Sequence, residues 1–184
     1  MVLLFIASAQ SGLLVIANAA MLLKQTAIGQ EFWTTNDWLL ASFGGLINAA
    51  GRVGTGFYSD KIGRRNAYLI NAVIAIACLV LIPVIIRSGS VPLLFLAVGV
   101  AYWQYGGGLC LMPAMTADYF GSNDLGMKYG LVFLGWGIAF LVPQLAGYLR
   151  DVTGSMDYSF YLSGTLLFSA VLLSLAMRRP VAKG

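Results

Sequence analysis

Residues 51–65 read GRVGTGFYSDKIGRR, and the fold is decided by how this stretch is read. Arg52 is the one charged residue in a run that extends from Trp38 to Ser59, and the run ends in a cluster of glycine, aspartate and basic side chains. An arginine near the middle of a bilayer costs about 2.5–3.5 kcal/mol on insertion scales, so it persists where it faces protein or water. Seven residues of helix separate Arg52 from Ser59, a rise of about 10 Å that sets the guanidinium well below the headgroups. The reading is an intramembrane anion site beside a cytoplasmic helix hinge.

The rest of the chain supports a membrane setting. Hydrophobic residues make up 59% of it and charged residues 10%, where soluble chains carry about 25% charged residues. The charges are gathered in short clusters, leaving apolar runs at about 1–23, 38–59, 66–86, 91–117, 129–149 and 158–177. Each is long enough to cross the hydrocarbon core as a helix. Strict apolar alternation is missing, which argues against membrane β-strands. The expectation is an all-α membrane protein: one six-helix transmembrane bundle over residues 1–184, with no soluble domain.

Six spans place both termini on one side. Alternate segments hold Lys61, Arg64, Arg65, Lys128, Arg178, Arg179 and Lys183, against Lys24, Arg87 and Arg150 on the other side. The basic-rich side is the cytoplasmic one, which predicts a multi-pass protein of a cell inner membrane or plasma membrane with cytoplasmic termini. Orientation accounts for the net charge of +4, so no nucleic-acid partner is expected. Residues 1–23 lack the basic flank of a signal peptide and are too long for its apolar core.

Enzymatic and metal chemistry find no support. The chain has no histidine, the commonest proton shuttle and metal ligand. Cys78 and Cys110 both fall inside spans and have neither disulfide nor metal-site spacing. GRVGTG lacks the lysine of a phosphate loop, and the triple glycine at 106–108 follows no strand. No catalytic residue, cofactor or metal is expected.

The second span is the most informative. Gly45, Asn48, Arg52, Thr55 and Ser59 recur at three or four residues and form a polar stripe, expected to face a cavity, while glycine and alanine elsewhere on the helix let neighbours approach closely. The fourth span places Tyr102, Trp103 and Tyr105 near its middle beside the glycines, and the fifth places Trp136 between Gly135 and Gly137. Asn48 and these aromatic residues are candidate cavity lining, able to enclose the carbon skeleton of a small acid. Gly135, Gly137 and Pro143 predict a bend in the fifth span. The third and sixth spans, apolar all round, are expected on the lipid side. Asn18 and Gln144 are expected to bond between helices, Asn36 or Asp37 to cap the second span, and Phe32 and Trp33 to anchor at the interface.

Gly56, Ser59, Asp60, Lys61, Gly63, Arg64 and Arg65 resemble the cytoplasmic loop signature of the major facilitator superfamily, after an even-numbered span as in that family. The chain is similar to the C-terminal six-helix half of such a transporter, and within the superfamily to the oxalate/formate antiporter family. That resemblance runs through SGLLVIANA from Ser11, NAAGRVGTGFYSDKIGRRN from Asn48, YGGGLCLMPAMTADYFG from Tyr105, YGLVFLGWG from Tyr129 and PQLAGYLRDVTGS from Pro143. It implies secondary active or facilitative transport of small carboxylates by alternating access, with Arg52 at the family's substrate-binding arginine. Where the oxalate exchanger has a second cation, a lysine, this chain has Trp136. One guanidinium holds one carboxylate in a bidentate pair, so monocarboxylates such as formate, lactate or pyruvate are favoured over oxalate. Asp60, Arg64 and Arg65 are expected to form a cytoplasmic latch, with Gly63 supplying a sharp turn. Because the spans hold no carboxylate, exchange or facilitated movement is favoured over proton symport.

In this fold the site lies between two pseudo-symmetric bundles. The expected partners are therefore a carboxylate, the lipid bilayer, and either a missing N-terminal six-helix half or a second copy of the chain. The sequence is expected to be a fragment or truncated product; the alternatives are a non-transporting membrane remnant or scaffold, and a homodimeric six-helix carrier.

Overall fold

The computed structural model describes residues 1–177, and Arg178, Arg179 and Lys183 of the expected basic tail lie outside the described residues. The described chain is helical and contains no strand. Its elements are α1 (Val2–Thr26), α2 (Glu31–Thr35), α3 (Trp38–Ile62), α4 (Arg64–Ser88), α5 (Val91–Phe120), α6 (Leu125–Ala139), α7 (Leu141–Thr153) and α8 (Asp157–Ala176). Five helical stretches are long and apolar enough to cross a membrane: α1, α4, α5, the joined α6–α7 and α8. The helix absent from that set is α3, whose polar stripe and many glycines dilute its apolar content.

α1 and α5 form the centre. α1 packs against α5, α6 and α8, while α5 packs against α3, α4 and α1. Two hydrogen-bonded polar groups lock this centre across the apolar core. Gln104 of α5 donates to Ser8 Oγ at 2.8 Å and accepts from Ser11 at 3.2 Å. Gln10 and Ser163 of α8 exchange bonds at 2.9 and 3.2 Å. Where water is absent, such groups are stable only when paired.

The α3–α5 interface is the closest in the bundle, and glycine creates it. A Cβ on Gly51 would stand 2.6 Å from the backbone oxygen of Trp103, and one on Gly44 would stand 2.5 Å from the Tyr102 ring. Gly107 leaves room for Thr55 and Asn71. There Asn71 of α4 donates to Thr55 at 3.3 Å and accepts from Tyr58, closing a three-residue polar ring.

The structure changes several boundaries. The loop expected around 60–65 shrinks to Gly63, because α3 continues to Ile62 and α4 starts at Arg64. Gly63 adopts φ +87°, a backbone conformation open to glycine at little cost. The outward loop folds in part into α2, whose Trp33 meets Phe95 of α5 at 5.5 Å between ring centroids. Asp37 stands at the α3 N-cap but makes no capping bond; its carboxylate pairs instead with Lys24 at 2.8 Å. Asn18 and Gln144 do not join helices. Asn18 reaches the carbonyl of Leu14 one turn back in its own helix, and Gln144 is exposed.

The fifth span, where a bend is expected, is interrupted for one residue at Phe140, between α6 and α7. Proline has no N–H, and its ring crowds the carbonyl four residues earlier. For Pro143 that carbonyl belongs to Ala139, the last residue of α6. One residue on, Phe140 N donates to Gly137 O at 3.3 Å, a three-residue step that tightens the helix at its interruption.

Candidate functional site

Arg52 lies on the exposed side of α3, with Nε donating to Asn48 Oδ1 at 3.2 Å. This one-turn tie orients the guanidinium while leaving its terminal nitrogens available. Among the described residues no carboxylate forms an ion pair with Arg52. A desolvated, uncompensated cation is strongly unfavourable, so this face belongs against water, a partner surface or an anionic ligand.

The stripe expected on α3 divides. Thr55 and Ser59 are buried against neighbouring helices, whereas Gly45 and Arg52 are exposed and Asn48 is half-buried. The row that borders the open side is Gly44, Asn48 and Arg52, at four-residue steps. Tyr102 and Gly106 of α5 run alongside it: Tyr102 stacks over Gly44, and Gly106 meets the backbone of Asn48. Next on α5 is Tyr105, whose hydroxyl accepts from Trp136 Nε1 of α6 at 2.9 Å. α3 and α6 each contact α1 and α5 but not one another. They flank the α1–α5 centre without touching, with Arg52 and Asn48 carried by α3 and Trp136 by α6, while Tyr102 and Tyr105 between them are buried.

Trp103 does not join this group. Its indole covers Gly54, two residues beyond Arg52 and therefore about 200° around the helix. It lines a separate apolar cavity of about 410 Å³ with Phe43, Ile47, Ile70 and Ile74. Adjacent positions on α5 diverge by about 100°, and this separates Trp103 from Tyr102.

The loop-motif residues gather at the α3–α4 junction. Arg64 donates from one nitrogen to both oxygens of Asp118 on α5, at 2.7 and 2.9 Å, and lies 3.6 Å from Asp60. The principal acceptor is thus Asp118 rather than the Asp60 of the expected latch. Asp60 and Lys61 are exposed, while Arg65 donates to the carbonyl of Leu175 on α8 at 2.6 Å. Ser59 donates to the carbonyl of Gly56 within α3 at 2.9 Å. Ser59, Asp60, Gly63, Arg64 and Asp118 line a polar cavity of about 410 Å³.

A family model described as Major Facilitator Superfamily matches residues 1–184. The chain belongs to the major facilitator superfamily. It is 29% identical to an uncharacterized MFS-type transporter, YhjX, of Escherichia coli over 73% of this chain and 32% of that protein. Monocarboxylate transporter 14 of Mus musculus is 30% identical over 74% of this chain and 26% of its own length. Monocarboxylate transporter 12 of Rattus norvegicus is 31% identical over 74% and 29%. The chain therefore spans about a third or less of the length of these relatives.

Sequence reasoning passed over three aromatic residues of this superfamily bundle. Tyr129 and Phe133 of α6 and Phe140 just beyond it pack in series with Trp136, in tilted, stacked and edge-on pairs respectively. Their steps of four, three and four residues were the available signal.

Proposed function

We propose that this chain is one six-helix half of an alternating-access carrier for small carboxylates, with α3 as its second span, Arg52 as the anion anchor, and a cleft between α3 and α6 as the ligand's place. The observation that carries this reading is an arginine exposed on α3 in the middle of an apolar run, oriented by Asn48, with no carboxylate paired to it among the described residues. Exposing it to lipid would cost about 2.5–3.5 kcal/mol; exposing it to a hydrated cleft supplies a forked donor for a carboxylate. The opposite wall belongs to a second bundle, either an N-terminal half or another copy of the chain.

One cation favours one charge. No other lysine, arginine or histidine lies between Trp38 and Ser59 or in the stretch around Trp136, so the second carboxylate of oxalate would enter without a counter-charge. Monocarboxylates such as formate, lactate and pyruvate are favoured, in keeping with the names of two relatives, monocarboxylate transporters 14 and 12. The basic residues Lys61, Arg64, Arg65 and Lys128 mark the cytoplasmic end. At the other end Lys24, Arg87 and Arg150 pair with Asp37, Asp157 and Asp151.

Vesicles reconstituted with the intact carrier test the reading through uptake of labelled lactate and labelled oxalate. Saturable uptake that favours lactate is expected. Preference for oxalate would overturn the single-charge reading.

A further inference from the structure

The α6 bank of the cleft is more than a boundary. Tyr129, Phe133, Trp136 and Phe140 form a continuous series with ring centroids 5.7, 5.1 and 4.6 Å apart. Steps of four, three and four residues hold them to one helical face. Trp136 is fixed by its bond to Tyr105, and Phe133 is braced behind by Phe5 at 5.9 Å. Phe133 and Phe140 nevertheless remain 40% and 42% exposed.

This exposure differs from that of a lipid face. The aliphatic residues of α6, Leu131, Leu134 and Ile138, are exposed on another flank. The aromatic flank turns towards α5, as the Trp136–Tyr105 bond requires, and α5 in turn carries α3 and its Arg52. The rail from Tyr129 to Phe140 extends about 16 Å at 1.5 Å per residue. A two- or three-carbon acid, with bonds of about 1.5 Å, covers a small part of it. Aromatic faces take other rings in offset or edge-on arrangements, so a rail with two partly open rings suits a ligand with a flat apolar body.

We propose that the Tyr129–Phe133–Trp136–Phe140 rail is the specificity wall of the Arg52 cleft and selects monocarboxylates bearing an aryl group over compact ones. The proposal rests on the carboxylate reading of Arg52 and adds the shape of the rest of the ligand. The carboxylate lies on the guanidinium at one bank, and the aryl body lies along the rings at the other. An acid with no body forgoes the second contact.

Lactate and phenyllactate carry the same 2-hydroxy acid group and differ by one ring. In vesicles reconstituted with the intact carrier, each competes against uptake of labelled lactate. Phenyllactate is expected to reach half-inhibition at a concentration at least tenfold lower than lactate. The double substitution F133L/F140L, which retains apolar volume without rings, is expected to bring the two within twofold. Should the double variant not fold, F140L alone is expected to reduce the preference at least threefold. Equal competition in wild type, or a preference unchanged in the folded variants, would overturn the proposal. Arg52→Gln separates the two readings: uptake unchanged in that variant sinks the carboxylate anchor, whereas the rail is judged by the ring substitutions alone.

Discussion

At the residue scale, Arg52 is defined as much by what it lacks as by what it touches. Among the described residues its one side-chain bond goes to Asn48, a neutral group one turn away, which limits the guanidinium's rotation without neutralising it. Asn48→Ala removes that orientation and keeps the charge. Lactate uptake by this variant is expected to show a KM several-fold higher with little change in maximal rate, because a freely rotating arginine loses entropy when it binds. An unchanged KM would remove Asn48 from the site. Arg52 itself was legible in the sequence because charge inside an apolar run is conspicuous. The role of its neighbours was less so. Tyr102, Trp103 and Tyr105 read as one aromatic cluster, yet helical rotation sends Trp103 to the far side of α3, and only the packing of α3 on α5 determines which flank meets the cleft.

At the element scale, α3 is held by contacts that leave no room for a methyl group. Gly51→Ala would drive its Cβ against the backbone oxygen of Trp103, which has no rotamer to escape into. Overpacking of this kind costs about 1–3 kcal/mol, and the variant is expected to melt at a lower temperature in detergent than wild type. An equal or higher melting temperature would show that the interface is looser than described. Pro143 has the opposite character, since it interrupts α6–α7 at the Ala139 carbonyl. Pro143→Ala restores the missing donor and is expected to raise thermal stability while slowing lactate turnover, with KM near that of wild type. Turnover at or above the wild-type rate would indicate that the interruption has no part in transport. A weak point in the fifth span was readable from glycine and proline content, but the position of the interruption at Phe140 depended on which carbonyl the proline ring would strike. The helix ends were harder to place. Charged residues expected in loops continue α3 and begin α4, because their side chains reach the interface without leaving the helix.

At the scale of the whole molecule, α1 and α5 supply the centre, and α3 and α6 stand apart as the banks of the proposed cleft. The all-helical membrane class followed from the long apolar runs; the central place of α1 did not, since Gln10 and Gln104 look alike until their partners Ser163 and Ser8 are known. At the α3–α4 junction, Arg64 joins α4 to α5 through Asp118, and both side chains are about one-third exposed (34% and 28%). A pair this accessible contributes about 0–1 kcal/mol, so its importance would lie in which conformation it favours. Asp118→Asn is expected to alter lactate turnover while changing the melting temperature little, and the reversed pair R64D/D118R is expected to recover part of the wild-type rate. Failure of both measurements to distinguish Asp118→Asn from wild type would remove the latch from the account. The central claim remains the anchoring of a carboxylate by Arg52. Its most direct test is calorimetric titration of lactate into the purified intact carrier and its Arg52→Lys variant, which keeps the charge but loses the guanidinium fork. The account predicts saturable binding to wild type, at least tenfold weaker binding to the variant, and the same melting temperature for both; equal affinity would contradict it.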